Sequence, residues 1–116
     1  MALVLIKGHL SREDITKARE DYQTYLKIAA DLRQELVVIG GFYHAEAEKL
    51  LLDEYASHQD DLWGGGYDLK SGRFETNAII NIRPGKNDSP EILDPEIRNK
   101  FLKLAKEKLV NLNECL

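Results

Sequence analysis

The 116-residue chain carries 43% hydrophobic and 31% charged residues, enough apolar surface to build a core without disulfides or a structural metal. Its net charge of -4 and the lack of any Lys/Arg run argue against nucleic acid as a partner. The one cysteine, Cys115, cannot bridge internally. No apolar stretch reaches the ~20 residues a spanning helix needs, and the opening residues lack the basic and apolar blocks of a secretory leader. One soluble, cytoplasmic domain covering residues 1–116 is expected, with no membrane partner.

In chain order, residues 2–6 read as a short strand ended by Gly8. Ser11-Arg12-Glu13-Asp14 resembles a capping box, flanked by the staple pair Leu10 and Ile15, and so opens a helix. Ile15, Ala18, Tyr22 and Leu26 continue at helical spacing, whereas Leu26, Ile28, Ala30 and Leu32 alternate like a strand. Residues 26–32 therefore stay open between helix and strand. Glu35 to Ile39 is a buried strand stopped by Gly40-Gly41, and Ala45 to Glu54 is rich in strong helix formers. Leu62 to Tyr67 and Phe74 to Arg83 read as a hairpin about Lys70-Ser71-Gly72. Asp94-Pro95 is an N-cap followed by an N1 proline, and Ile97, Phe101, Leu104, Ala105, Leu109 and Leu112 form the stripe of a last helix. Cys115 falls in a tail expected to fray.

The candidate site follows from alternation. In a strand over residues 74–83, Glu75, Asn77, Ile79, Asn81 and Arg83 share one face. A three-residue loop sets Trp63 opposite Ile79, Gly65 opposite Asn77 and Tyr67 opposite Glu75. The expected ligand-binding residues are Trp63, Gly65, Tyr67, Asn77, Asn81 and Arg83, aromatic and polar groups over a glycine floor. The competing reading is a solvent-facing sheet surface with ordinary cross-strand pairs. Gly64-Gly65-Gly66 requires a bulge or a close approach.

Other chemistry is poorly served. Val37 to Gly41 before a helix lacks the residues of a P-loop, and Glu46 and Glu48 would repel an anion there. His44 and Glu48, one helical turn apart, supply too few ligands for a metal, so no metal and no cofactor are expected. No serine sits in a nucleophile elbow.

The blocks Ile39-Gly40-Gly41-Phe42-Tyr43-His44-Ala45-Glu46-Ala47-Glu48, Leu62-Trp63-Gly64, Ile80-Asn81-Ile82-Arg83-Pro84 and Glu91-Ile92-Leu93-Asp94-Pro95-Glu96-Ile97-Arg98 resemble those of a small uncharacterised bacterial domain family of unknown function. The resemblance covers most of the chain after about residue 26 and implies no activity or catalytic residue. It favours a hairpin of residues 26–32 and 35–40. Two departures stand out: Tyr55-Ala56 where a glycine is usual, and the extra glycines after Trp63.

The expected fold is α+β: one mostly antiparallel sheet of four to five strands, with about three helices packed largely on one face and the other face partly open. The expected function is a non-catalytic small-ligand-binding or regulatory module, homodimeric if the last helix's apolar stripe packs on a copy. One alternative is a small enzyme with Arg83 as anion anchor and His44 or Glu48 as acid/base. Another is a partner protein of a toxin–antitoxin-like or regulatory pair.

Overall fold

Residues 25–31 carry apolar side chains on both parities, so a strand here must be covered on both faces. In the computed structural model, which describes residues 2–116, it is the centre of the sheet. Strands β1 (Leu3–Leu5), β2 (Tyr25–Asp31), β3 (Leu36–Gly40), β4 (Leu62–Asp68) and β5 (Arg73–Glu75) lie in the order β1-β3-β2-β4-β5, every pair antiparallel. The ambiguous segment is thus a strand, hairpinned to β3. Asp31 closes that hairpin by accepting the backbone N–H groups of Arg33 and Gln34, both at 3.0 Å.

One face of the sheet presents Val4, Leu26, Ile28, Ala30, Val37, Ile39 and Trp63. It is covered by α1 (Arg12–Ala18) and α3 (Pro95–Lys108). Helix α1 starts at the Ser11/Asp14 capping box, and Leu10 and Ile15 are buried together beside it. Helix α3 starts at Asp94 with Pro95 at N1. Its stripe of Phe101, Leu104, Ala105 and Leu109 is buried against the chain's own sheet, so it is not left over to join a copy. Beyond α3 a 3-10 turn, Leu112–Cys115, docks back instead of fraying: the Cys115 thiol reaches the Leu10 carbonyl at 3.2 Å.

The opposite face presents Leu3, Ala29, Val38 and Leu62. It is covered by α2 (His44–Glu54) through Ala47 and Leu51. Two helices therefore take one face and the third takes the other. That division follows from β2 and β3, whose odd and even residues are both apolar. Beyond α2 that face is covered over Gly64 by Ala78, His44 and Ile80 and over Gly66 by the Tyr25 phenol, and it opens at β5, where Arg73 and Glu75 are exposed.

Two positions adopt the left-handed backbone for readable reasons. Gly40, at φ +92, ends β3 where α1 crosses so closely that a Cβ would strike the Ala2 carbonyl and the Ala18 backbone. Ala56, at φ 53, follows the C-cap of α2, the position where helices commonly place glycine. The alanine thus carries a steric penalty that glycine would relieve. Ala56→Gly is expected to stabilise the protein by about 1 kcal/mol, read as a higher urea midpoint with an unchanged slope.

Candidate functional site

The hairpin of β4 and β5 departs from expectation in register and in length. Tyr67 pairs with Phe74 and Gly66 with Glu75, one residue away from the expected pairing. The cause is Asp68, whose carboxylate accepts the N–H groups of Lys70 (2.8 Å) and Ser71 (3.2 Å), making a four-residue loop before Arg73. The strand then stops at Glu75. Residues 76–78 turn away and pair with residues 90–92, through Ala78 N–H to Pro90 O and Ile92 N–H to Thr76 O. Residues 79–81 form a 3-10 turn.

This rerouting separates the residues that alternation placed together. Asn81 is fully buried, its amide docked on Gly64 like one rung of a missing strand. Its Oδ1 accepts the Gly64 N–H (2.8 Å), and its Nδ2 donates to Gly64 O (2.9 Å), Pro90 O (2.9 Å) and Thr76 O (3.3 Å). The side chain satisfies the β4 edge that β5 is too short to reach. Arg83 lies with its guanidinium carbon 3.9 Å from the Trp63 ring centroid, so this expected pair does meet. Its terminal nitrogens, however, donate to the main-chain carbonyls of Asp60 and Leu62. Tyr67 packs at a tilt against Phe74 on the α3 side (centroids 4.7 Å apart). Gly65 lies where an added Cβ would strike Glu75 O and the Phe101 ring. Asn77 alone of the six opens onto the α2 side, in a hollow with His44.

The glycine run is explained by three close approaches. Gly64 lies under Ala78, His44 and Ile80, Gly65 under Phe101, and Gly66 under the Tyr25 phenol.

The hollow has a volume of about 400 Å3 and is lined by Tyr25, Lys27, His44, Glu75, Asn77 and Ile79, with Ala78 and Pro90 completing the wall. Tyr25 donates to Glu75 Oε1 at 3.0 Å. Burial, then the Glu75 hydrogen bond and charge, push its phenol far above the ordinary tyrosine range, so it stays a donor. His44 Nε2–H donates to the Gly65 carbonyl at 2.7 Å, an acceptor that fixes the tautomer and leaves Nδ1 as an acceptor in the neutral ring. Burial lowers the His44 pKa; the Gly65 carbonyl opposes this and the charge of Lys27 adds to it. Burial thus favours the neutral imidazole. The Lys27 ammonium lies 5.2 Å from the Tyr22 ring centroid and 5.9 Å from that of Tyr25. Among the described residues it has no carboxylate within 4.0 Å.

Arg83 lines a different hollow, of about 250 Å3, with Trp63, Asp60, Lys86, Asn87 and Asp94. His44 and Arg83 therefore do not share a site. Glu48 is nearer to Arg83 in its electrostatics: burial raises its carboxyl pKa, and Arg83 and Gln59 pull it back. At the N-terminus of α2 the Glu46 carboxylate accepts from the N–H groups of Phe42 (2.7 Å) and Tyr43 (2.8 Å), which occupies the niche a phosphate would need. Among the described residues no cluster of three or more His, Cys, Asp or Glu side chains is arranged to hold a metal.

Sequence reasoning missed Tyr25 and Lys27; it put Glu75 on the candidate face without naming it as a ligand-binding residue. The signal available was Lys27 on the outward parity of an otherwise apolar strand.

The fold and hollow define an α+β protein on an open, five-stranded antiparallel sheet, with a polar recess between its edge strand and a covering helix. The chain belongs to the DUF5674 family, described as a protein of unknown function, whose model matches residues 4–108. No curated protein and no solved structure matches the chain. Among the described residues no helix is long and apolar enough to cross a membrane.

Proposed function

We propose that the protein is a non-catalytic module that binds a small molecule in the hollow over the β4 glycines, acting in the cytoplasm. One observation carries this reading. Lys27, Asn77 and His44 line one recess, and among the described residues the Lys27 ammonium, the Asn77 amide and His44 Nδ1 make no hydrogen bond, while Asn81 and Arg83 spend theirs on the main chain. The single cysteine supports a reducing compartment. An enzyme built on Arg83 and His44 has less support, because the two side chains line separate hollows.

The test is a fragment screen by amide NMR on the full chain. A true ligand shifts the resonances of residues 25, 27, 44, 65, 66 and 77–79, and at a hundredfold excess over Kd stabilises the fold by about 2.7 kcal/mol. Lys27→Ala removes that binding and costs the fold about 1 kcal/mol, since among the described residues the ammonium makes no hydrogen bond or salt bridge and loses only its contacts with the Tyr22 and Tyr25 rings. Ligands that collect only at the Trp63–Arg83 hollow would refute this assignment.

A second reading, self-association, draws on Phe42, Tyr43 and Ile79, which are 46%, 64% and 75% exposed. Ile79 lines the hollow, and Phe42 and Tyr43 directly precede His44. Light scattering tests it: a monomer at high concentration removes the dimer and leaves the ligand site intact.

A further inference from the structure

We infer that the hollow selects a small zwitterion of the amino-acid type, with a carboxylate and a protonated amine on a short apolar body. The inference rests on the site proposed above and names its ligand class. Lys27 pairs with Gly66 across β2 and β4, and Gly66 pairs with Glu75 across β4 and β5. A cation, a glycine and an anion therefore stand in one row across the sheet. Strands lie about 4.8 Å apart, so the Lys27 and Glu75 backbones are separated by roughly 10 Å, and the glycine between them leaves room that the Tyr25 phenol takes up.

The two side chains form no salt bridge with each other, their ionic groups being more than 4.0 Å apart. Each is held in place from the side. The Tyr25 phenol fills the space above Gly66 and orients Glu75 through Oε1, and among the described residues no donor reaches Oε2. The Tyr22 and Tyr25 rings flank the Lys27 ammonium, which keeps hydrogen-bond donors to give.

Other ligand classes match worse. A phosphate or dicarboxylate would bring a second negative charge toward Glu75 and toward the lone pair of a neutral His44. A simple amine would meet Lys27. A zwitterion sets its carboxylate on Lys27 and its ammonium on Glu75 Oε2. The Asn77 amide, donor and acceptor at once, serves either end, and Ala78, Ile79 and Pro90 supply an apolar wall for the body.

The test is an amide NMR titration of the full chain with L-leucine, L-phenylalanine and 4-aminobutanoate. Each is run beside the acid lacking its amine and the amine lacking its carboxylate. At least one zwitterion is expected to give saturable shifts at residues 27, 65, 66, 75 and 77, about tenfold or more tighter than both of its truncated forms. Lys27→Met and Glu75→Gln, which keep the aliphatic stem and the Tyr25 acceptor, each weaken it about tenfold while the amide spectrum remains that of the folded chain. Equal or tighter binding of an acid at these residues overturns the zwitterion and leaves the site standing. Silence from the whole panel also overturns the zwitterion, and the fragment screen then judges the hollow by itself.

Discussion

Asn81→Ala is expected to lower stability by about 4 kcal/mol, enough to drop the thermal midpoint by roughly 10–20 °C. The wild-type amide is fully buried and makes one accepted and three donated hydrogen bonds. Truncation strips the Gly64 N–H and C=O of the edge partner that Asn81 supplies and leaves a void among carbonyl groups. Each unpaired buried group costs about 1–3 kcal/mol, which decides the size of the effect. Asn81→Asp separates shape from hydrogen bonding. The aspartate keeps an acceptor for the Gly64 N–H but turns its second oxygen toward the carbonyls of Gly64, Thr76 and Pro90. It should be as damaging as alanine at pH 7 and recover part of the loss as pH falls, because a protonated carboxyl regains one donor. Urea titrations of the three proteins at pH 7 and pH 5 check both statements. A loss under 1 kcal/mol for Asn81→Ala would mean that water replaces the amide at the β4 edge.

Asn81 also explains what could be read in the sequence and what could not. The β2–β3 hairpin, the Ser11 capping box and the Asp94-Pro95 start all depend on neighbours within a few residues, and periodicity or cap chemistry exposes them. The stretch from Phe74 to Arg83 alternates as well as any strand, yet only its first two residues join the ladder. The difference lies in distant partners. Pro90 and Ile92 capture the main chain of residues 76–78, and the Asn81 side chain substitutes for backbone at Gly64. Asn87 does similar work, donating to the carbonyls of Asn81, Ser89 and Glu91, and Asn111 exchanges two bonds with Leu10. An asparagine that binds ligand and one that replaces a peptide group look alike in sequence, because both present the same NH2 donor group and carbonyl acceptor. Trp63 and Arg83 do meet, but through a chain path that alternation does not describe. The candidate recess was half legible: His44 and Asn77 stood out by type, whereas Lys27 and Glu75 gain meaning only from a shared row on Gly66.

Asp31 should govern the acid limb of stability. Its carboxylate is fully buried at the end of β2 and accepts from Ser57 Oγ (2.6 Å), Gln34 Nε2 (2.8 Å) and the N–H groups of Arg33 and Gln34 (both 3.0 Å). Burial alone would raise its pKa. The hydrogen bonds from Ser57, from the backbone and side chain of Gln34 and from the Arg33 backbone outweigh burial and hold it below the ordinary 3.8. A depressed folded-state pKa contributes stability that is present above the unfolded value and is lost as pH falls through the folded one. Asp31→Ala is therefore expected to cost about 3 kcal/mol at pH 7, since it leaves the Ser57 hydroxyl and Gln34 amide without their charged acceptor. Asp31→Asn should cost roughly half as much, because Oδ1 still accepts both backbone N–H groups. The gap between wild type and Asp31→Asn should stay constant from pH 7 to about pH 5 and narrow below pH 4. Guanidinium unfolding across pH 2.5–7 measures it. A gap that widens on acidification would mean the carboxylate is held above its unfolded pKa, with burial prevailing over the Ser57 and Gln34 hydrogen bonds.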